Sequence, residues 1–108
     1  MQDLGLDAQD LYPLMQTLVS DLNPQVQQLQ ALLHGPLDAQ TLHRPLHALK
    51  GVAGLFAHAS LLQAITQADD ASRSGHLDLG RELSEQLLPR LNQWLADAQA
   101  WLQRYSST

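Results

Sequence analysis

Four stretches of this 108-residue chain repeat apolar residues every three or four positions, and the links between them are only about three to five residues long. That spacing puts the apolar side chains on one stripe of a helix. Links this short force each helix to run back beside its predecessor. Together the two features predict an all-α protein: an antiparallel up-down-up-down four-helix bundle, formed as a single domain over 1–108.

The first stretch carries Leu11, Leu14, Met15, Leu18, Val19, Leu22, Val26, Leu29 and Leu33. Its phase survives Pro24, which predicts one long kinked helix rather than two. Asp7 or Asp10 would cap its start, Pro13 suits a first turn, and His34-Gly35-Pro36 ends it. The second stretch opens at Asp38, a favoured N-cap residue, and runs to about Ala57. Pro45 falls inside it and cannot donate to the carbonyl of Thr41. Either the helix kinks there, or a short first turn breaks and the main helix restarts with Pro45 near its first position. The third stretch spans about Ser60 to Ser74, with Leu61, Leu62, Ile65 and Ala68 on one side and Gly75 as its C-terminal cap. The fourth starts near Asp78 and carries Leu83, Leu87, Leu91, Trp94, Leu95, Ala98 and Leu102, continuing in phase past a kink expected at Pro89. Trp94 and Trp101 are expected to line the core, His34 and His76 to be solvated in loops, and the tail Ser106-Ser107-Thr108 to fray.

Composition removes several function classes. Without cysteine there is no disulfide, thiol nucleophile or thiolate metal site. The formal net charge is −5, and the six Lys and Arg residues are scattered, so the basic face that nucleic acid requires is missing. No apolar run approaches the ~20 residues of a membrane span. The N-terminal Met1–Asp10 segment lacks the basic and apolar regions of a signal peptide. The expectation is a soluble cytoplasmic domain whose acidic excess is mostly solvated surface.

Within the second stretch, HALKGVAG (47–54) holds two glycines three residues apart. Each costs roughly 1 kcal/mol against alanine in a helix interior. At about 100° per residue, Gly51 lies about 40° to one side of His47 and Gly54 about 20° to the other. Lys50 and Arg44 lie about 60° away on opposite flanks, and His43 and His58 fall within about 40°. Leu42, Leu49, Val52 and Phe56 occupy the other side of the helix. A backbone without Cβ atoms lets a second surface approach closely. An exposed imidazole can act as a nucleophile, and flanking cations stabilise an anion placed on it. The pattern describes a docking face that presents one histidine to phosphoryl chemistry.

Blander readings exist for the same residues. A lone surface histidine is usually ornamental, and paired small residues usually mark tight helix packing. If Gly51 and Gly54 packed inside the bundle, however, Lys50 would be buried with them at considerable cost. His43 and His47, four apart, could also begin a zinc site. No Asp or Glu in 39–60 completes it, and His58 is about 16 Å from His47 along a helix. A dimer closed through the glycine face is the remaining alternative.

His47-Ala48-Leu49-Lys50-Gly51-Val52-Ala53-Gly54 resembles the H-x-L-K-G-x-A/S-x motif of histidine-containing phosphotransfer (HPt) domains. The resemblance continues with a leucine at Leu61, a helix closing in glycine at Gly75 and a proline in the first long helix at Pro24. It implies a four-helix bundle with the histidine on the second long helix. A short extra N-terminal helix, common in that family, would fall near residues 7 to 11. The resemblance further implies a phosphorelay carrier without an ATP site of its own. His47 would accept a phosphoryl group from an aspartyl phosphate on one receiver domain and pass it to an aspartate on another. Lys50 would stabilise the phosphoryl oxygens, and Gly51 would make room for the receiver. The receiver would bring the magnesium ion, leaving this chain with no cofactor or metal. The partners implied are the receiver domains of a hybrid sensor kinase and of a response regulator, with the chain itself a monomer. It would be either free-standing or the cytoplasmic C-terminal part of an inner-membrane hybrid kinase. Gly54, Arg44, His43 and His58 are expected to line the docking face. The chain departs from the family's usual pattern at Pro45, Leu55, Ala57 and His58, which bears on partner choice more than on the acceptor. The rival reading is a bundle of the same shape that binds partners without carrying phosphate.

Overall fold

The structure is a computed structural model that describes residues 8–36, 38–56 and 59–106. Four helices follow one another: α1 (Ala8–Leu32), α2 (Ala39–Phe56), α3 (Ala59–Arg73) and α4 (Leu77–Ser106). Packing runs α1 on α2, α2 on α3, α3 on α4 and α4 back on α1. This is the up-down-up-down bundle that short links impose.

Local sequence explains the helix ends. Asp38 caps α2: its carboxylate accepts from the Thr41 backbone N–H at 2.8 Å and from the Thr41 hydroxyl at 3.0 Å. These bonds to Thr41, the backbone one foremost, hold the Asp38 carboxyl below its ordinary value. Gly75, with φ of +85°, ends α3. The His76 N–H reaches the Ala71 carbonyl at 3.0 Å and the Gly75 N–H reaches the Ser72 carbonyl at 3.4 Å. That pair of bonds is a Schellman closure, which favours glycine at the left-handed position. The end of α1 is closed from a distance. Arg81 of α4 donates to the carbonyls of Leu33 at 2.9 Å and Gly35 at 2.7 Å.

All four interior prolines lie within continuous helices: Pro13 and Pro24 in α1, Pro45 in α2, Pro89 in α4. The choice left open at Pro45 is thus resolved as one helix, with the ring itself fully buried. The first helix begins at Ala8, earlier than expected, so Pro13 stands in its second turn and residues 8–11 belong to α1 rather than to a separate short helix. Asp7, Ala57 and the tail residues Ser107 and Thr108 lie outside the described residues.

The core joins one stripe from each helix: Leu18, Leu22, Val26 and Leu29; Leu42, Leu46, Leu49 and Ala53; Leu61, Ile65 and Ala68; Leu87, Leu91, Leu95 and Ala98. Leu14 departs from its stripe and stands 46% exposed. Trp94 packs against the core, whereas Trp101 is half-buried beside it, between Tyr12 and Tyr105 with ring centroids 6.2 and 4.5 Å away. Helices α3 and α4 approach closely at Gly80, where a Cβ would stand 2.5 Å from the buried Ser72 hydroxyl.

Candidate functional site

On α2 the buried positions Leu42, Leu46, Leu49 and Ala53 leave one face of the helix outward. His47 is exposed near the middle of that face. Among the described residues it makes no hydrogen bond, so both ring nitrogens are open to a reactant. Arg44 is exposed on one flank and Lys50 half-buried on the other. Lys50 shares its flank with His43, on the side that meets α3.

The glycines settle which way this face points. Both are exposed, and a Cβ added at Gly51 or Gly54 meets nothing within 4 Å outside the helix's own backbone. They are therefore not small for the sake of packing within the bundle. Contrast Gly80, where a neighbouring helix does fill the space. Leu55, one turn beyond Gly51, is 80% exposed and adds an apolar surface to the same side. It belongs with the outward face, a placement the sequence reading did not give it. His58 lies outside the described residues.

His43 differs from its expected surroundings. Instead of a free surface position, it lies between α2 and α3 with its side chain 32% exposed. Its Nδ1 is 2.5 Å from the Asp69 carboxylate of α3, and its ring centroid is 5.2 Å from that of His47, tilted by 40°. Asp69 is fully buried, an exception to the expectation that the acidic residues are solvated. Its second oxygen, Oδ2, is buried without a hydrogen bond and has the Arg73 Nε 3.7 Å away. Arg73 is held above its ordinary value, first by its hydrogen bond to Asp70 and then by the Asp69 charge.

Sequence reasoning passed over Asp69 because its partner is 26 positions away. One signal was present. Leu61, Ile65, Ala68 and Ser72 mark the buried stripe of α3, and Asp69 falls on it, four after Ile65. A carboxylate in an apolar register needs a partner.

A free imidazole, two flanking cations and a backbone stripped for close approach make a surface suited to receiving an anionic group from another macromolecule. Among the described residues no three His, Asp or Glu side chains gather as metal ligands, and no helix is long and apolar enough to cross a membrane. No curated protein and no solved structure matches the chain. The family model of the Hpt domain matches residues 13–101, which takes in α2 and α3 entire, most of α1 and α4, and the face that carries His47.

Proposed function

The chain belongs to the Hpt domain family, whose members carry out histidine phosphotransfer in phosphorelays and interact with receiver domains, and from this premise we propose that His47 is the phosphoacceptor. A ring nitrogen of neutral His47 attacks the phosphorus of an aspartyl phosphate on a receiver. The N–P bond forms as the P–O bond to the aspartate breaks, and that electron pair returns to the aspartate as carboxylate. Attack by a second receiver's aspartate on the phosphohistidine reverses the exchange and restores the imidazole. The family's phosphotransfer module is no enzyme in the ordinary sense, and ATP has no part in either step.

Phosphoryl transfer of this kind depends on positioning and charge stabilisation more than on covalent help. Lys50 offers a point charge to the phosphoryl oxygens. Gly51 and Gly54 give the receiver's active-site loops room to reach His47. Arg44, with Leu55 beyond it, extends the docking face, and His58 is assigned to it from the sequence pattern alone. The magnesium ion belongs to the receiver. The cognate partners are receivers of a hybrid kinase and a response regulator, engaged by a monomer in the cytoplasm.

The observation that carries this reading is the open space over Gly51 and Gly54 beside an exposed His47 that makes no hydrogen bond among the described residues. Among the described residues, no atom fills that space. The test mixes the chain with phosphorylated receiver domains and magnesium and follows acid-labile, base-stable phosphate. The expected result is label on His47 and none on His47→Gln. Binding of receivers without label on the wild-type chain would favour the non-phosphorylated module instead.

A further inference from the structure

Asp69 is the one fully buried carboxylate among the described residues; it hydrogen-bonds a single side chain, His43, while the exposed Arg73 stands off its other oxygen at 3.7 Å. A carboxylate has only acceptors, so its bond to His43 requires the imidazole proton on Nδ1. Burying an acid is costly unless it is paired. The pairing therefore fixes the position of His43 as firmly as the bundle fixes Asp69. Side chains on a helix lean toward its N-terminus, so His47 leans over the turn that holds His43, four residues earlier. The result is a chain of contacts from the core to the reactive ring: Asp69 Oδ1 to His43 Nδ1 at 2.5 Å, then His43 to His47 at 5.2 Å between centroids. Among the described residues, His47 makes no hydrogen bond and His43 is the one ring paired with it.

We propose that His43, clamped by Asp69, is a positioning residue for phosphotransfer: it holds the exposed His47 ring in the orientation from which a nitrogen meets phosphorus in line. The inference rests on His47 being the acceptor, and it recasts His43, which the sequence placed on the docking surface. The physical need is plain. An exposed imidazole on a helix samples several rotamers, whereas in-line transfer tolerates little misplacement; an error of about 1 Å can cost about 100-fold. An Asp–His pair that merely tied α2 to α3 would not need its ring set beside the acceptor's, tilted by 40° at 5.2 Å.

Burial of Asp69 gives the decisive test, because it cannot touch a receiver. Single-turnover transfer from a phosphorylated receiver is measured against receiver concentration for the wild type, Asp69→Asn and His43→Gln. Far-UV circular dichroism and thermal melts confirm the fold of each. Both variants are expected to lose about tenfold or more in the saturating rate, with the half-saturating receiver concentration unchanged. The double variant should be no worse than the worse single one, since the two residues act as a unit. In parallel, side-chain NMR of isotope-labelled histidine should show an ordered His47 ring in the wild type and rotamer averaging in both variants. Unchanged saturating rates, or a change confined to half-saturation, would overturn the proposal; so would an equally ordered ring in all three proteins. The second readout also decides the matter if a variant transfers too weakly to fit. Failure of the acceptor reading has a different signature: no label on the wild-type chain, from receivers or from phosphoramidate, a small donor that needs no docking surface.

Discussion

Replacing both outward glycines of α2 with alanine should make the protein more stable. The expectation runs against the habit of treating a motif glycine as structurally required, and its size follows from position. Gly51 lies in the interior of α2, a full turn before its end at Phe56, so Gly51→Ala should gain close to the full helix preference of about 1 kcal/mol. Gly54 lies in the last turn, where backbone freedom is partly retained, and about half that gain is expected. Part of the effect arises in the unfolded chain, which loses freedom when glycine is removed. No steric term opposes it, because neither new Cβ meets an atom within 4 Å. The double variant should therefore gain about 1.5 kcal/mol, or roughly 6 to 12 °C in Tm for a domain of this size. Urea denaturation at pH 7 measures the gain, and an unchanged m-value keeps the comparison two-state. The same position answers the functional question when the side chain is large. Gly51→Phe should leave the fold intact and block transfer from a phosphorylated receiver. A double alanine variant less stable than wild type would refute the claim that this face is open. Transfer by Gly51→Phe at the wild-type rate would refute the claim that a partner needs the space.

Other substitutions separate the site from the scaffold. Lys50→Ala should slow transfer to His47 by about 10-fold or more while changing stability little, since the lost charge acts on the phosphoryl group; stopped-flow or quench-flow transfer rates check this. Arg44→Glu should raise the receiver concentration needed for half-maximal transfer without lowering the saturating rate, and an unchanged concentration dependence would take Arg44 off the docking face. Gly80→Ala should destabilise by about 1–3 kcal/mol despite alanine's helix preference, because its Cβ would lie 2.5 Å from Ser72 Oγ and 3.3 Å from the Ser72 backbone nitrogen; denaturant midpoints decide it. Asp38→Ala should lower Tm at neutral pH through the lost cap. The Asp38 carboxyl is held below its ordinary value in the fold, so its charge-dependent share of stability is present above the unfolded-state value and is lost as pH falls through the folded-state one. The Tm gap between wild type and variant should accordingly narrow on acidification, and a gap that widens would contradict the assignment of Asp38 as a charged cap.

The bundle was legible in the sequence because helix formation and antiparallel return are local consequences of spacing and link length. Leu18, Leu22, Val26 and Leu29 repeat at three and four and all are buried, and Gly75 closes α3 where a left-handed residue was required. That His47, Lys50, Gly51 and Gly54 share one side of α2 was legible for the same reason: a helix fixes angles between its own residues. What lay beyond reach depended on a second helix. Pro45 could not be read as kink or restart, because its fate depends on the burial that surrounding helices provide. Gly51 and Gly54 could equally have been packing glycines, and Gly80, which is one, carries no local mark; only the position of Ser72 on the neighbouring helix distinguishes them. His43 and Asp69 stand 26 residues apart, and periodicity relates residues within a helix, never between two. The sequence by itself thus determined the four helices, their stripes and the face that carries His47. Tertiary packing alone decided that a buried carboxylate would stand beneath His43 and tie the outward face to the core, because bringing α3 against α2 is a matter of how whole surfaces fit.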